Sequence, residues 1–354
     1  MLSRRKFLKD TVRSGFALGC TLYLPKYLFK NQNGNKIEMV IPPQFDTSYP
    51  FHEGLAEVQV GEKWGYINRA GKIVIEPQFN ITNPFSEGLA RVSINNKSDN
   101  YAENYFGYIN RSGEFVVKPQ LCAADEFSEG LARLKLSHWE NFGYINKAGK
   151  LAIEPQYFNA ERFSDGLARV NNFFEGKYYY IDKTGKRAID ADFQFLRAFQ
   201  EGLGCVSIDG KWGVIDKSGN MVIQPQFNWL SEFREGMAGA CVGDKIGYID
   251  RRGQMVIKPQ FEHGRGFSEG LAAVLTHSGW GFIDRTGSMR IAPQFNYPPG
   301  FQEGFAAVMV NGKTGFIDKS GKIIVAPQFD FASNFFQGLA PVKIGNKWGY
   351  IGKV

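Results

Sequence analysis

The sequence contains few of the side chains that build metal and catalytic sites. Only four cysteines and four histidines occur in 354 residues, and their spacing is not that of metal ligands. The sequence has no Ser/His/Asp set, no glycine-rich phosphate loop before a helix and no His-x-x-Glu pair. We therefore predict that the protein is not an enzyme and binds no metal and no cofactor.

Helical periodicity, long apolar runs and a strongly charged body are also missing. No window has the 3.6-residue period of an amphipathic helix, and the apolar stretch from Gly15 to Leu24 is shorter than the roughly 20 residues of a membrane span. The net charge of +7 arises mainly near the N-terminus, because residues 1–30 hold seven of the 42 basic residues and one of the 35 acidic ones. A nearly neutral body does not predict a nucleic-acid partner.

What the sequence has instead is one segment of about 34 residues in nine tandem copies. The copy from Phe51 to Phe79 reads FHEGLAEVQVGEKWGYINRAGKIVIEPQF. The glycine of its F-x-E-G-L-A segment recurs at Gly54, Gly88, Gly130, Gly166, Gly202, Gly236, Gly270, Gly304 and Gly338. A fixed period of this kind predicts a repeat architecture.

Within one copy the apolar period is two, which predicts strands. Leu55–Val60 alternates, and Trp64–Ile67 is rich in aromatic and β-branched residues. An Asx residue three positions before Gly71 predicts a turn with glycine in the left-handed position, and Ile73–Ile75 returns as a third strand. We predict three strands per copy and an all-β chain.

Residues that recur in every copy are interpreted as structural, because a catalytic site is usually made once. The large side chain before the second glycine, as in Trp64, is predicted to lie in the core. The acid before the first glycine, as in Glu53, is predicted to cap the backbone or to form a salt bridge with lysines such as Lys63 and Lys211.

The F-x-E-G-L-A…K-W-G-Y-I-D-x-x-G-K…I-x-P-Q-F pattern resembles the WG-repeat (KWG) family of bacterial proteins over about residues 36–354. The resemblance implies a β-rich repeat array to which no general enzymatic activity is attached. One copy, around Tyr178, Tyr179 and Asp192, departs from all three motifs.

The ends of the repeat domain, residues 36–354, allow two architectures. Ile37–Ile41 is a third strand without the first two, and Trp348–Ile351 is a second strand without the third. The N-terminal strand would complete the last copy in a closed, propeller-like toroid, but an open array cut at the same point reads identically. Propeller blades usually have four strands in about 40–50 residues. We therefore expect an open, twisted array of nine three-stranded antiparallel repeats, with the closed toroid as the alternative.

The N-terminal residues 1–35 read as an export leader rather than as part of the fold. The segment Ser3–Lys9 resembles the twin-arginine signal through Arg4 and Arg5. It predicts export across the bacterial inner membrane, to the periplasm or the envelope. Cys20 is either a lipid attachment site or an apolar residue of the leader. Contact with a membrane is predicted only through the leader or such an anchor.

Three consecutive copies carry insertions in one loop, between the first two predicted strands. Insertions in a repeat array map to one face, which is often the binding face. Aromatic side chains on such loops suit recognition. The candidate binding residues are Tyr101, Tyr105, His138, Trp139, Phe173 and Phe174. We predict an interaction scaffold for a protein partner, with an envelope polysaccharide as the alternative ligand and an enzyme with a cryptic site as the third, less favoured class. The structural interpretation is that these loops cover the irregular copy.

Overall fold

The chain forms small antiparallel sheets throughout the part that the structure describes. The computed structural model describes residues 29–30, 36–95, 104–172, 177–189, 193–297 and 300–353. Over these residues there are nine sheets and no helix, and so no helix that could cross a membrane. The prediction of an all-β chain is confirmed.

Each repeat forms one blade, and blade 1 shows the common plan. Its four strands are Thr47–Ser48, Leu55–Val60, Lys63–Asn68 and Ile73–Phe79, and each pairs with the next in antiparallel fashion. Burial alternates along the fourth strand, as the period of two predicts. We number the strands of every blade first to fourth in this order.

The other blades repeat this order. Blade 2 contains Ile81–Thr82, Leu89–Asn95, Asn104–Asn110 and Phe115–Leu121. Blade 3 contains Ala123–Ala124, Leu131–Lys135, Phe142–Asn146 and Leu151–Tyr157. Blade 4 contains Asn159–Ala160, Ala168–Asn171, Tyr178–Ile181 and Arg187–Ile189. Blade 5 contains Phe195–Leu196, Leu203–Ile208, Lys211–Asp216 and Met221–Phe227. Blade 6 contains Trp229–Leu230, Met237–Val242, Lys245–Asp250 and Met255–Phe261. Blade 7 contains His263–Gly264, Leu271–Thr276, Gly279–Asp284 and Met289–Phe295. Blade 8 contains, among its described residues, the last three strands Phe305–Val310, Lys313–Asp318 and Ile323–Phe329.

Blade 9 joins the two ends of the chain and closes the ring. It contains Phe331–Ala332, Leu339–Ile344 and Lys347–Lys353 from the C-terminal end. Its fourth strand is Lys36–Phe45, with the short strand Phe29–Lys30 at its edge. The pairing of Ile37 with Lys353 and of Phe45 with Trp348 fixes this register. The fold is a nine-bladed β-propeller.

The closed toroid, given as the alternative, is therefore what forms, and the expected open array does not. The objection to closure was that 34 residues are too few for four strands. The chain meets this limit with a first strand of two residues, separated from the preceding blade by a single residue, as Ile81 is from Phe79. Almost no residues are used as linkers between such blades, so the blades described in full have four strands rather than the predicted three.

The hydrophobic core lies between neighbouring blades. Tyr66 of blade 1 is fully buried, its ring lies 4.9 Å from that of Phe85 in blade 2, and its hydroxyl donates to the carbonyl of Asn83 over 2.8 Å. Equivalent tyrosines at 108, 144, 180, 248 and 350 make the same bond to the next blade. Burying such a ring stabilises the interface by about 1.5–3 kcal/mol, so each blade needs its neighbours.

The tryptophan position packs against the core, as the sequence predicts, but its large rings are not fully buried. Trp64, Trp212, Trp280 and Trp348 are only half-buried. The glycine that follows is needed for packing, because a Cβ at Gly65 would lie 2.4 Å from the carbonyl oxygen of Ile75 on the fourth strand. In blade 4 the glycine is replaced by Tyr179, which is buried.

Candidate functional site

The repeated acids form a closed circle of hydrogen bonds, which we call the turn ring. Each acid accepts a hydrogen bond from the backbone N–H of the turn glycine in the next blade, as Glu53 does from Gly88 over 3.0 Å. At the seam Gln337 of blade 9 accepts from Gly54 of blade 1 over 2.8 Å. The acceptors are Glu53, Glu87, Glu129, Asp165, Glu201, Glu235, Glu269, Glu303 and Gln337.

The acids hold a backbone conformation that non-glycine residues rarely adopt. The eight acids and Gln337 all have φ between 50° and 55°, and the glycine after each also has a positive φ. The two residues form a turn of type I′, in which Asn or Asp usually takes the first place. Seven of the nine turns carry Glu instead, at a cost of about 1–2 kcal/mol in strain. The longer side chain reaches the next blade, and the bond it makes there offsets the strain.

Basic side chains reinforce the turn ring, but they are not the lysines predicted from the sequence. Arg251 of blade 6 donates to the carbonyl oxygen of Glu201 in blade 5 over 2.8 Å. Lys319 and Lys353 donate in the same way to Glu269 and Glu303, each over 3.0 Å. The predicted partner Lys63 instead donates to Asn80 over 3.1 Å. The acid position therefore has the predicted capping role, and the predicted salt-bridge partner is wrong.

The turn ring also shows which parts of the blades lie near the axis. Each link is one side chain and one hydrogen bond long, so neighbouring turns are at most about 10 Å apart, and nine such steps close a circle with a radius of at most ~15 Å. The turns therefore surround the axis on one face. The loops between second and third strands lie at the opposite end of the strands.

The predicted binding residues lie at that opposite end, as far as the structure describes them. Trp139 is 98% exposed and His138 is exposed. Both lie on residues 136–141, which we call the blade 3 loop, where the backbone N–H of Glu140 donates to the carbonyl of Ser137. Tyr105 instead lies half-buried in the third strand of blade 2, opposite Ile94. Tyr101, Phe173 and Phe174 lie outside the described residues, as do Arg4, Arg5 and Cys20 of the leader.

Sequence reasoning missed a set of arginines at one position of the second strand, three residues after the turn glycine. Arg91, Arg133 and Arg169 occupy it in blades 2 to 4. Each donates to a first-strand carbonyl of the next blade. Each also stacks on the ring at the tryptophan position of its own blade, with centroid distances of 4.6–4.8 Å.

The loop after the first strand supplies a polar partner to each of these arginines. Arg91 donates to Asn83 over 2.9 Å, Arg133 pairs with Asp125 over 2.6 Å, and Arg169 pairs with Glu161. The signal was present in the sequence, because this position is charged in blades 1 to 4 and small in the others.

Blade 5 departs from this arrangement and leaves a cavity. Cys205 stands at the arginine position, and the guanidinium over the ring of Trp212 comes from Arg197 on the first-strand loop, 4.8 Å from the centroid. A cavity of about 360 Å³, the blade 5 cavity, is lined here by Glu161, Arg169, Phe195, Arg197, Trp212 and Glu232.

A second cavity of about 560 Å³ adjoins the first. It shares Glu161 and Ala198 with it. This blade 4 cavity is also lined by Ser128, Ser164 and Gln200, each of which directly precedes an acid of the turn ring. The two cavities therefore extend from the start of a third strand towards the turn ring.

Blade 1 carries a buried acid at the arginine position. Glu57 is 2% exposed, and no described atom bonds to its Oε2. Burial, with a smaller contribution from the negative charge of Glu126, raises the pKa of Glu57 to about 8. The side chain is therefore a neutral carboxylic acid at pH 7.

Groups of three or more potential metal ligands are absent from the described residues. What the described residues offer for function is a rigid ring that carries charged pairs and exposed aromatic side chains.

Comparison with known proteins identifies the repeats. The family described as "WG containing repeat" matches the chain nine times, over residues 29–64, 64–97, 106–137, 142–178, 180–212, 212–245, 246–277, 280–313 and 315–348. No curated protein matches the chain.

Solved structures show similarity of fold at low sequence identity. A eukaryotic initiation factor is 10% identical, with a TM-score of 0.56, over 92% of this chain and 97% of that one. Virginiamycin B lyase from Staphylococcus aureus is 14% identical, with a TM-score of 0.34, over 81% and 98%. The extracellular domain of BT3049 from B. thetaiotaomicron is 11% identical, with a TM-score of 0.33, over 92% and 55%. On its nine matched repeats, the chain belongs to the family of proteins built from WG-containing repeats.

Proposed function

We propose that the protein is an exported, non-enzymatic scaffold that binds a protein partner through the blade 3 loop and the neighbouring long loops. The observation that carries the proposal is the indole of Trp139, which is 98% exposed. An indole left in water forgoes a large gain from burial, and tryptophan is among the side chains that contribute most to protein interfaces.

The surroundings of Trp139 support a contact surface. Leu136 on the same loop and Phe158 at the same end of the strands are both exposed. In blade 1 the corresponding connection is the two-residue turn Gly61-Glu62, whereas the blade 3 loop has six residues between its strands. A longer loop held on a closed ring presents side chains at a fixed position without disturbing the core.

Capture of partners from the envelope tests the proposal. The full chain, Trp139→Ala and the control Tyr297→Ala are immobilised and exposed to detergent-solubilised envelope protein. Tyr297 is a suitable control because it is 75% exposed on the far side of the ring. We expect one specific protein to be retained by wild type and Tyr297→Ala. Its affinity for Trp139→Ala should fall by about 30-fold, which corresponds to ~2 kcal/mol at a central interface residue.

Two results would contradict this proposal. Equal retention by all three proteins would remove Trp139 from the interface. Retention of insoluble cell-wall polysaccharide rather than protein, lost in Trp139→Ala, would favour the alternative ligand.

Export is proposed from the leader alone. Fractionation of cells that express the chain with Arg4→Lys and Arg5→Lys tests it, because the precursor should then stay in the cytoplasm. Periplasmic recovery of that variant would contradict the use of a twin-arginine signal.

A further inference from the structure

The blade 5 cavity contains a guanidinium whose hydrogen-bonding capacity is largely unused by the described residues. Arg197 lies between two indoles, 4.8 Å from the centroid of Trp212 and 5.4 Å from that of Trp229. Its distance to Glu232 is 3.7 Å, which is longer than a hydrogen bond. Its Nε is buried, and no described atom accepts a bond from it. The two rings hold the planar group in place, and the part of the side chain that stays partly exposed is open to a ligand.

The second-strand arginines of blades 2 to 4 each donate a hydrogen bond to the next blade. Arg169, on the other side of the cavity, donates to the carbonyl of Leu196 and to Glu161. Its contacts tie blade 4 to blade 5. Arg197 reaches blade 6 through the ring of Trp229 and the ion pair with Glu232, but no described atom accepts a hydrogen bond from its Nε. Arg197 and Glu232 are therefore the polar groups that this structure leaves for recognition.

The charges of the cavity favour a neutral ligand. Two acids, Glu161 and Glu232, face two arginines, so an anion placed beside Arg197 is repelled by the nearby carboxylates. A ligand that both accepts from Arg197 and donates to Glu232 satisfies both groups. A hydroxyl group has one donor and two acceptor lone pairs, and neighbouring hydroxyls on a sugar ring offer both at once.

An aromatic side chain at the mouth completes this chemistry. Phe195 is 62% exposed and lines the cavity beside Trp212. Its flat apolar face suits the C–H face of a pyranose ring. A peptide held in extended form would instead be recognised through main-chain bonds at a sheet edge, whereas the groups available here are side chains.

We propose that the blade 5 cavity, through Arg197, Glu232 and Phe195, binds a neutral sugar unit of a glycan. Its volume of about 360 Å³ falls in the usual range for small-molecule sites. The adjoining blade 4 cavity of about 560 Å³ gives room for further units of the same glycan. The site does not include the blade 3 loop and does not depend on the function proposed for it.

The blades supply their own matched control for a test. Phe331 occupies in blade 9 the position that Phe195 occupies in blade 5, and it is 49% exposed. The full chain, Phe195→Ala, Phe331→Ala and Trp139→Ala are each applied to an array that carries neutral glycans, uronic acid glycans and short peptides. Titration of the best-bound soluble oligosaccharide, followed by tryptophan fluorescence, gives the dissociation constants.

We expect neutral glycans to be bound, with an affinity that falls about tenfold in Phe195→Ala because the aromatic contact is lost. Phe331→Ala and Trp139→Ala should bind as wild type does. Arg197→Lys keeps the charge but loses the planar fork, and should weaken binding by at least as much. The proposal is overturned if no neutral glycan is bound, if only acidic glycans or peptides are bound, or if Phe331→Ala loses as much affinity as Phe195→Ala.

Discussion

Replacing Glu235 by alanine tests whether the turn ring stabilises the propeller. Glu235 accepts a hydrogen bond from the backbone N–H of Gly270 in the next blade over 2.9 Å. Alanine keeps the Cβ, and so keeps the strain of a positive φ, which is 52° at this residue. The change therefore removes the bond and leaves the backbone cost in place. A hydrogen bond to a charged group contributes about 1.5–3 kcal/mol, and the partial exposure of this turn favours the lower end.

We expect Glu235→Ala to lower the free energy of unfolding by about 1.5 kcal/mol, measured by urea denaturation, and to lower Tm by about 2 °C for a chain of this size. The matched control is Glu235→Gln. Gln337 makes the same link to Gly54 over 2.8 Å with an amide oxygen, so the glutamine variant should lose less than about 0.5 kcal/mol.

Two results would refute this reasoning. If Glu235→Ala is as stable as wild type, the bond to Gly270 contributes nothing and the turn ring is only a consequence of packing. If Glu235→Gln is as unstable as Glu235→Ala, the charge rather than the hydrogen bond matters. The attraction to basic side chains of the next blade would then be the stabilising interaction.

Two further predictions concern the core. Gly247→Ala should destabilise the fold by about 3 kcal/mol in urea denaturation, because its Cβ would lie 2.4 Å from the carbonyl oxygen of Ile257. Gly300→Ala, where an added Cβ meets no described atom, should change stability by less than about 0.5 kcal/mol, and an equal loss in both variants would contradict the packing argument. Glu57→Gln should flatten the dependence of stability on pH. A raised pKa gives stability that is complete below the ordinary value of 4.5 and is lost as pH rises through about 8, by up to about 1.4 kcal/mol per pH unit. Identical pH profiles of the variant and wild type would show that Glu57 ionises freely in the folded protein.

The strands and turns could be predicted because their causes are local. A period of two and an Asx-x-x-Gly turn each act within a few residues. Gly71 has the predicted positive φ, and its N–H donates to the carbonyl of Asn68 over 2.9 Å. The first strand could not be seen in this way, because two residues such as Ile81–Thr82 are too few to show a period.

Closure of the ring could not be read from the sequence because the same repeats fit an open and a closed array. The outcome depends on the rotation between neighbouring blades, which is set by contacts between residues about 35 positions apart. The role of Glu53 shows the same limit. Its repetition correctly indicated a structural role, but its partner is a backbone N–H of the next copy, which carries no side-chain signal. The predicted partner, the side chain of Lys63, was therefore the wrong one.

The sequence indicated the blade 3 loop but not the blade 5 cavity. An insertion that changes the spacing is visible in the sequence and led to Trp139, which is fully exposed. The blade 5 cavity depends on one register position, at which Cys205 replaces arginine, and on Arg197 from a different strand. Only the stacking of neighbouring blades brings Arg197, Trp229 and Glu232 together, so no spacing in the sequence marks them.

The division between repeated and varied positions determines which substitutions can report on binding. The turn ring and the buried tyrosines close the propeller through contacts that recur in most blades, so the loss of one leaves the others in place. Trp139 and Phe195 lie outside both sets and are exposed. Their truncation removes apolar surface from water and breaks no bond between blades, so the free energy of unfolding should change little. Any loss of affinity in these two variants would therefore belong to the ligand contact and not to unfolding of the ring.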